Sequence, residues 1–180
     1  MEIQSMRRLL LLRHAKAERS QPGGRDRDRV LAARGRADAP QIGGYLRHHA
    51  VLPDHVVVSP AARTRQTWEL AAAALDMAPA AIYDERLYNA PAGTILDVIK
   101  ETSPEVGTLL VVGHNPGIQE AADLLTAAGD LETRQRLKEA FPTSGLAMID
   151  FALDGWHRLH VHSGRIERFV TPKSLASATD

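Results

Sequence analysis

Three places in the chain carry residues that could together handle a phosphoryl group: Arg13-His14, Ser59-Pro60 followed by Arg63, and Gly113-His114. Two guanidiniums in one pocket call for an anion, and their planar forks suit the paired oxygens of a phosphoryl group. A histidine there can attack phosphorus through an imidazole nitrogen and hold the group covalently. A second, protonated histidine can stabilise the charge that builds on the equatorial oxygens. The arginines supply the positive charge, so this chemistry needs no metal and no other cofactor. Arg13, His14, Arg63 and His114 form the candidate catalytic set.

These residues can meet only if the elements before them end on one edge. Each follows a short apolar run, at 9–12, 55–58 and 109–112, as expected of strands buried on both faces. Between the runs the pattern predicts a polar loop over 13–34 and helices over 37–49, 61–75, 94–101 and from after Pro116 to Ala128. Pro40 fits the first of these only near its first turn. A weak strand is expected at 82–83, and a charged helix outside the core at 131–140. A strand at 146–153, a turn at Asp154-Gly155 and a returning strand at 156–162 read as a hairpin. A short strand at 165–170 and a loose tail after Pro172 complete the pattern.

Strands alternating with helices define an α/β class. The expected architecture is a three-layer, doubly wound, mostly parallel sheet flanked by helices, with a C-terminal antiparallel hairpin, in one domain spanning 1–180. Ligands bind beyond the carboxyl ends of strands in such sheets, which is where the candidate residues fall.

Composition narrows the function. Hydrophobic residues at 44% and charged residues at 24% describe a globular chain. With no cysteine, disulfides, thiolate metal sites and a cysteine nucleophile are excluded. No apolar run reaches the ~18 residues a membrane span needs, and a cytoplasmic location and a monomer are expected. Aromatic residues at 4% argue against base-stacking surfaces and so against nucleic acid as partner. Formal net charge is zero, yet nine Arg and Lys16 between Arg7 and Arg36 face only Glu18, Asp26 and Asp28. One basic segment beside an acidic remainder suggests a local anion site.

Leu-Leu-Arg-His-Ala at 11–15 resembles the signature of the histidine phosphatase superfamily, the phosphoglycerate mutase-like fold. Ser-Pro-Ala-Ala-Arg-Thr-Arg-Gln-Thr at 59–67 is similar to its second motif, and Val-Gly-His-Asn-Pro-Gly at 112–117 to its third. Short length, Arg-His-Ala-Lys and Gly-His-Asn-Pro are most similar to the SixA-type phosphohistidine phosphatases. The resemblance implies that His14 is the phosphorylated nucleophile, with Arg13, Arg63 and His114 completing the phosphate pocket. Lys16 and the backbone N–H of Asn115 are the candidate substrate-binding groups.

The resemblance also exposes a departure. Larger members of the superfamily carry a carboxylate general acid where this chain has Asn89. Asp84 or Glu85 could substitute from a different placement. Expelling an alkoxide needs a proton, whereas expelling imidazole, whose conjugate acid has a pKa of roughly 6.5, needs it less. The expected activity is therefore a metal-independent phosphatase acting on phosphohistidine in a protein. Hydrolysis of small-molecule or Ser/Thr/Tyr phosphate esters, and a non-catalytic phosphoprotein-binding module, are the alternatives.

Other clusters read more plainly. His160 and His162 would share one face of a strand at metal-ligating spacing, with His157 nearby, but a solvated hairpin face is the simpler reading. Residues 25–29 alternate Arg and Asp, as an alternating-charge loop without a role or as a rim that steers an acidic phosphoprotein.

Overall fold

The structure is a computed structural model that describes residues 5–178, so residues 1–4 and 179–180 of the expected 1–180 domain lie outside the described residues. One seven-stranded sheet carries the fold. Its strands are β1 (Met6–Arg13), β2 (His55–Val58), β3 (Ile82–Tyr83), β4 (Thr108–Gly113), β5 (Thr126–Gly129), β6 (Leu146–Ala152) and β7 (Gly164–Val170), in the order β3-β2-β4-β1-β6-β7-β5. Only β6 runs against its neighbours β1 and β7; the remaining pairings are parallel.

Residues 9–12, 56–58 and 109–112 of the central strands are apolar at successive positions because helices cover both faces. Leu9 and Leu11 of β1, with Leu109 and Val111 of β4, pack on α3 (Ala92–Lys100) and α4 (Gly117–Leu125). Leu10, Leu12, Leu110 and Val112 face the other way, onto α1 (Ala33–His48) and α2 (Ala62–Ala73). Successive strand residues point to opposite faces, so one leucine run builds two cores. The expected three-layer α/β architecture is what forms.

Four local expectations need correction. The first helix begins at Ala33, not 37, which leaves Pro40 inside it, beyond the first turn. Gly35 makes this early start possible: a Cβ there would lie 2.1 Å from the Lys16 carbonyl oxygen. The helix expected to reach Ala128 stops at Leu125, where the Thr126 hydroxyl donates to the Ala122 carbonyl at 2.7 Å and the chain turns into β5. Residues 156–162 are not a strand. Trp156 is fully buried and its indole N–H donates to the Val106 carbonyl at 2.8 Å, so residues 156–158 form a 3-10 turn and β7 makes the return. His157, His160 and His162 therefore share no strand face, and among the described residues no three potential ligands gather to hold a metal.

The tail is also more ordered than expected. Pro172–Ser177 forms α6, started by a capping box between Thr171 and Ser174 with proline in its first turn. The charged α5 (Leu131–Glu139) buries Leu137 and leaves most of its other residues at least partly exposed. No helix among the described residues is long and apolar enough to cross a membrane.

The α1–α2 contact makes a paired prediction. A Cβ on Gly43 would sit 2.0 Å from the Ala71 carbonyl oxygen, whereas one on neighbouring Gly44 meets nothing within 4 Å. Gly43→Ala should destabilise by about 1–3 kcal/mol through overpacking, and Gly44→Ala should stabilise by about 0.5–1 kcal/mol through lost chain entropy. Urea unfolding of both variants checks this; equal midpoints would contradict the close approach.

Candidate active site

The parallel register sets the site. Leu12 pairs with Val112, which pairs with Val58, so β1, β4 and β2 end level. Arg13 pairs with Gly113; the His14 N–H then donates to the Gly113 carbonyl at 3.1 Å, and the Ser59 N–H to the Val112 carbonyl at 3.0 Å. Helix α2 is knitted to this edge by two fully buried threonines. Thr64 donates to the Ser59 carbonyl at 2.6 Å. Thr67 accepts from the Ala15 N–H at 2.9 Å and donates to the Arg63 carbonyl at 2.6 Å, one turn back. Arg63 is thereby fixed beside His14.

The two histidine rings lie 5.4 Å apart between centroids. Nδ1 of His14 is 2.8 Å from the Ala15 carbonyl oxygen. A carbonyl can only accept, so Nδ1 carries the proton and Nε2 keeps its lone pair. Burial, followed by the charges of Arg63, Arg13 and Arg29, lowers the His14 pKa to about 4. His114 is lowered to about 3, by burial first and then by Arg63 and His14. The protein's own groups thus favour a neutral His114, where the sequence led us to expect a protonated one; a bound phosphoryl dianion would push it back up. The His114 Nε2 lies 2.7 Å from the Ser59 hydroxyl.

Four buried polar atoms here have no partner among the described residues: Arg13 Nε, Arg63 Nε, His114 Nδ1 and Ser144 Oγ. Groups of this kind ordinarily have one, and together they suit an oxygen-rich anion. Ser144 is fully buried, has a positive φ of 59° and donates its N–H to the His14 carbonyl at 3.1 Å. The neighbouring Phe141 carbonyl accepts from Arg13 Nη1 at 2.9 Å and from Asn115 Nδ2 at 3.0 Å.

The two candidate substrate-binding residues divide. Lys16 is exposed, and its backbone carbonyl holds the Ala32 N–H at 2.9 Å. The Asn115 side chain is committed to Phe141 and to the Gln119 N–H, at 3.2 Å, so only its backbone could serve a ligand.

Two side chains that the motifs did not single out, Asp26 and Tyr88, stand at the site beside the expected Asn89. Asp26 reaches in from the loop after β1. Its carbonyl accepts from Arg63 Nη1 at 2.9 Å and its carboxylate from Nη2 at 3.1 Å, while Arg29 binds the second carboxylate oxygen at 2.9 Å. The Tyr88 hydroxyl donates to the same carboxylate, and the Tyr88 ring meets His114 edge-on at 5.6 Å. Tyr88 first, then Arg29 and Arg63, hold Asp26 well below the ordinary carboxylate range. Asn89 has its Oδ1 3.5 Å from Arg63 Nη2, so the expected position of an acid holds an amide. Asp84 and Glu85 are paired with Arg86 at 2.8 Å and Arg27 at 2.6 Å.

Two arginines, two histidines with lowered pKa values and a helix start gather at the carboxyl edge of a doubly wound sheet, an arrangement that suits a phosphoryl group. Residues 9–106 match the model of the histidine phosphatase superfamily (branch 1), and the chain belongs to that superfamily. It is a phosphatase of the SixA-type branch. An uncharacterised protein of Mycobacterium tuberculosis is 43% identical over 144 residues, covering 78% of this chain and 87% of the relative. A Nakamurella structure provisionally assigned as phosphohistidine phosphatase SixA has 29% identity and a TM-score of 0.81, covering 93% of this chain and 97% of that one. A similarly assigned Agrobacterium tumefaciens structure has 32% identity and a TM-score of 0.76, covering 92% and 98%.

The lowered histidines link stability to acid. An unfolded histidine titrates near 6.5, so the neutral buried rings contribute stability that is fully present above that pH. It is lost as pH falls towards about 4 for His14 and about 3 for His114. Urea midpoints measured between pH 7 and pH 4.5 should fall less steeply in His114→Gln than in wild type. Identical slopes would refute the burial of a neutral ring.

Proposed function

We propose that the protein hydrolyses phosphohistidine carried by a protein, through a phosphorylated His14. The observation that carries the substrate reading is the state of the groups around Arg63. Asp26 is held ionised and Asn89 offers an amide. Neither can hand a proton to a departing alkoxide, which favours a leaving group that does not need one. The likeness to structures provisionally assigned as phosphohistidine phosphatases supports the same reading.

In this proposal Arg13 and Arg63 hold the phosphoryl oxygens through the N–H groups their protein partners leave over. Nε2 of His14 attacks phosphorus in line, the phosphorus–nitrogen bond of the substrate breaks, and its electron pair stays on the departing imidazole. His114, placed by Ser59, supports the equatorial oxygens. Water then displaces His14 and releases phosphate. Lys16 meets the substrate's outer charge at the mouth, and the Asn115 N–H faces the transferred group.

Trapping with labelled phosphohistidine peptide under alkaline quench should leave label on wild type and none on His14→Ala. Arg63→Ala should lower kcat about 10²–10³-fold, the range for removing one preorganised charge donor. A His14→Ala variant that turns over substrate like wild type would overturn the mechanism.

A further inference from the structure

Asp26 poses a physical problem. A carboxylate in a phosphate pocket repels the dianion, yet this one is held ionised and hydrogen-bonded to the arginine that should receive phosphate. It grips one side of Arg63, through Nη1 and Nη2, and leaves Nε with no partner among the described residues.

Depth gives it a direction. The His14 residue is 9% exposed and the Arg63 side chain 4%, whereas the Asp26 side chain is 43% exposed. In-line displacement puts the leaving group opposite the nucleophile, and with His14 at the floor that is the open side, where Asp26 and the Tyr88 hydroxyl stand. Resting on the phosphohistidine reading above, we propose that Asp26 is a specificity-determining residue that accepts a hydrogen bond from the ring N–H of the departing imidazole.

The bond changes balance. The substrate ring arrives protonated on the nitrogen that does not carry phosphorus, and that N–H points to the carboxylate. His14 Nε2 forms its bond to phosphorus as the phosphorus–nitrogen bond breaks. The electron pair neutralises the ring, which leaves as imidazole with its N–H still in place. A carboxylate favours the cationic ring before cleavage and disfavours an oxyanion developing at the same place. Tyr88 and Arg63 share one carboxylate oxygen and Arg29 from its own loop takes the other, which holds Asp26 in place and balances its charge.

The test compares kcat/KM for a phosphohistidine peptide and for p-nitrophenyl phosphate, whose leaving group is an anion, in wild type, Asp26→Asn and Tyr88→Phe. Asparagine keeps the backbone carbonyl bond to Arg63 Nη1. Wild type should favour the peptide; a preference for the ester would refute the substrate reading itself. With that preference present, Asp26→Asn should lower the peptide-to-ester ratio about tenfold, the size of one charge-assisted hydrogen bond, and Tyr88→Phe should lower it less. Equal losses on both substrates would mean that Asp26 only braces Arg63, and would overturn the inference while leaving the substrate reading intact.

Discussion

The in-register parallel pairing of β2, β4 and β1 is the constraint on which the rest depends. Val58, Val112 and Leu12 lie side by side, and the next one or two residues of each strand carry the chemistry. A slip of one residue in either pairing would move a histidine along the edge and turn the apolar residues of that strand onto the wrong layer. The same pairing that builds two cores from one run of leucines thus also sets the spacing of the candidate catalytic residues along this edge. Stability and placement cannot be separated here.

A second constraint is electrostatic. Two arginines and two histidines meet where burial disfavours charge, and the protein answers differently for each type. The histidines give up their protons. Arg13 keeps its place by donating to the Phe141 carbonyl, a neutral acceptor. Arg63, the more deeply buried, takes a carboxylate as well as a carbonyl, both from Asp26. The zero net charge of the chain conceals this arrangement, since the compensating acid is one residue within the basic segment itself.

What the sequence made legible follows from where each residue sits. Arg13, His14 and His114 directly follow or end apolar runs, so strand periodicity located them, and Arg63 lies one turn into an alanine-rich helix. Their convergence needed only the topology of parallel strands. Asp26 was written in an alternating Arg/Asp stretch that reads equally well as a solvated loop, and nothing local distinguishes it from Asp28. Tyr88 directly follows the 3-10 turn Glu85–Leu87 and Ser144 has a left-handed position before β6, where no periodic pattern operates. The misread hairpin has a similar cause: Asp154-Gly155 is a good turn signal, but burying the Trp156 indole with its N–H satisfied determined the local path. The Thr126 hydroxyl likewise ended a helix that its alanine-rich surroundings would have extended.

Phe141 joins two regions that otherwise have little in common. Its carbonyl holds Arg13 and Asn115 at the site, while its ring packs on Phe169 of β7 with centroids 5.0 Å apart. Arg136 of α5 lies over the Phe169 ring, 5.4 Å from its centroid. A single residue therefore ties the outer part of the sheet to the Arg13 guanidinium. Residues of α5 and β7 therefore pack against the same side chain whose carbonyl holds Arg13, although they lie outside the signature motifs.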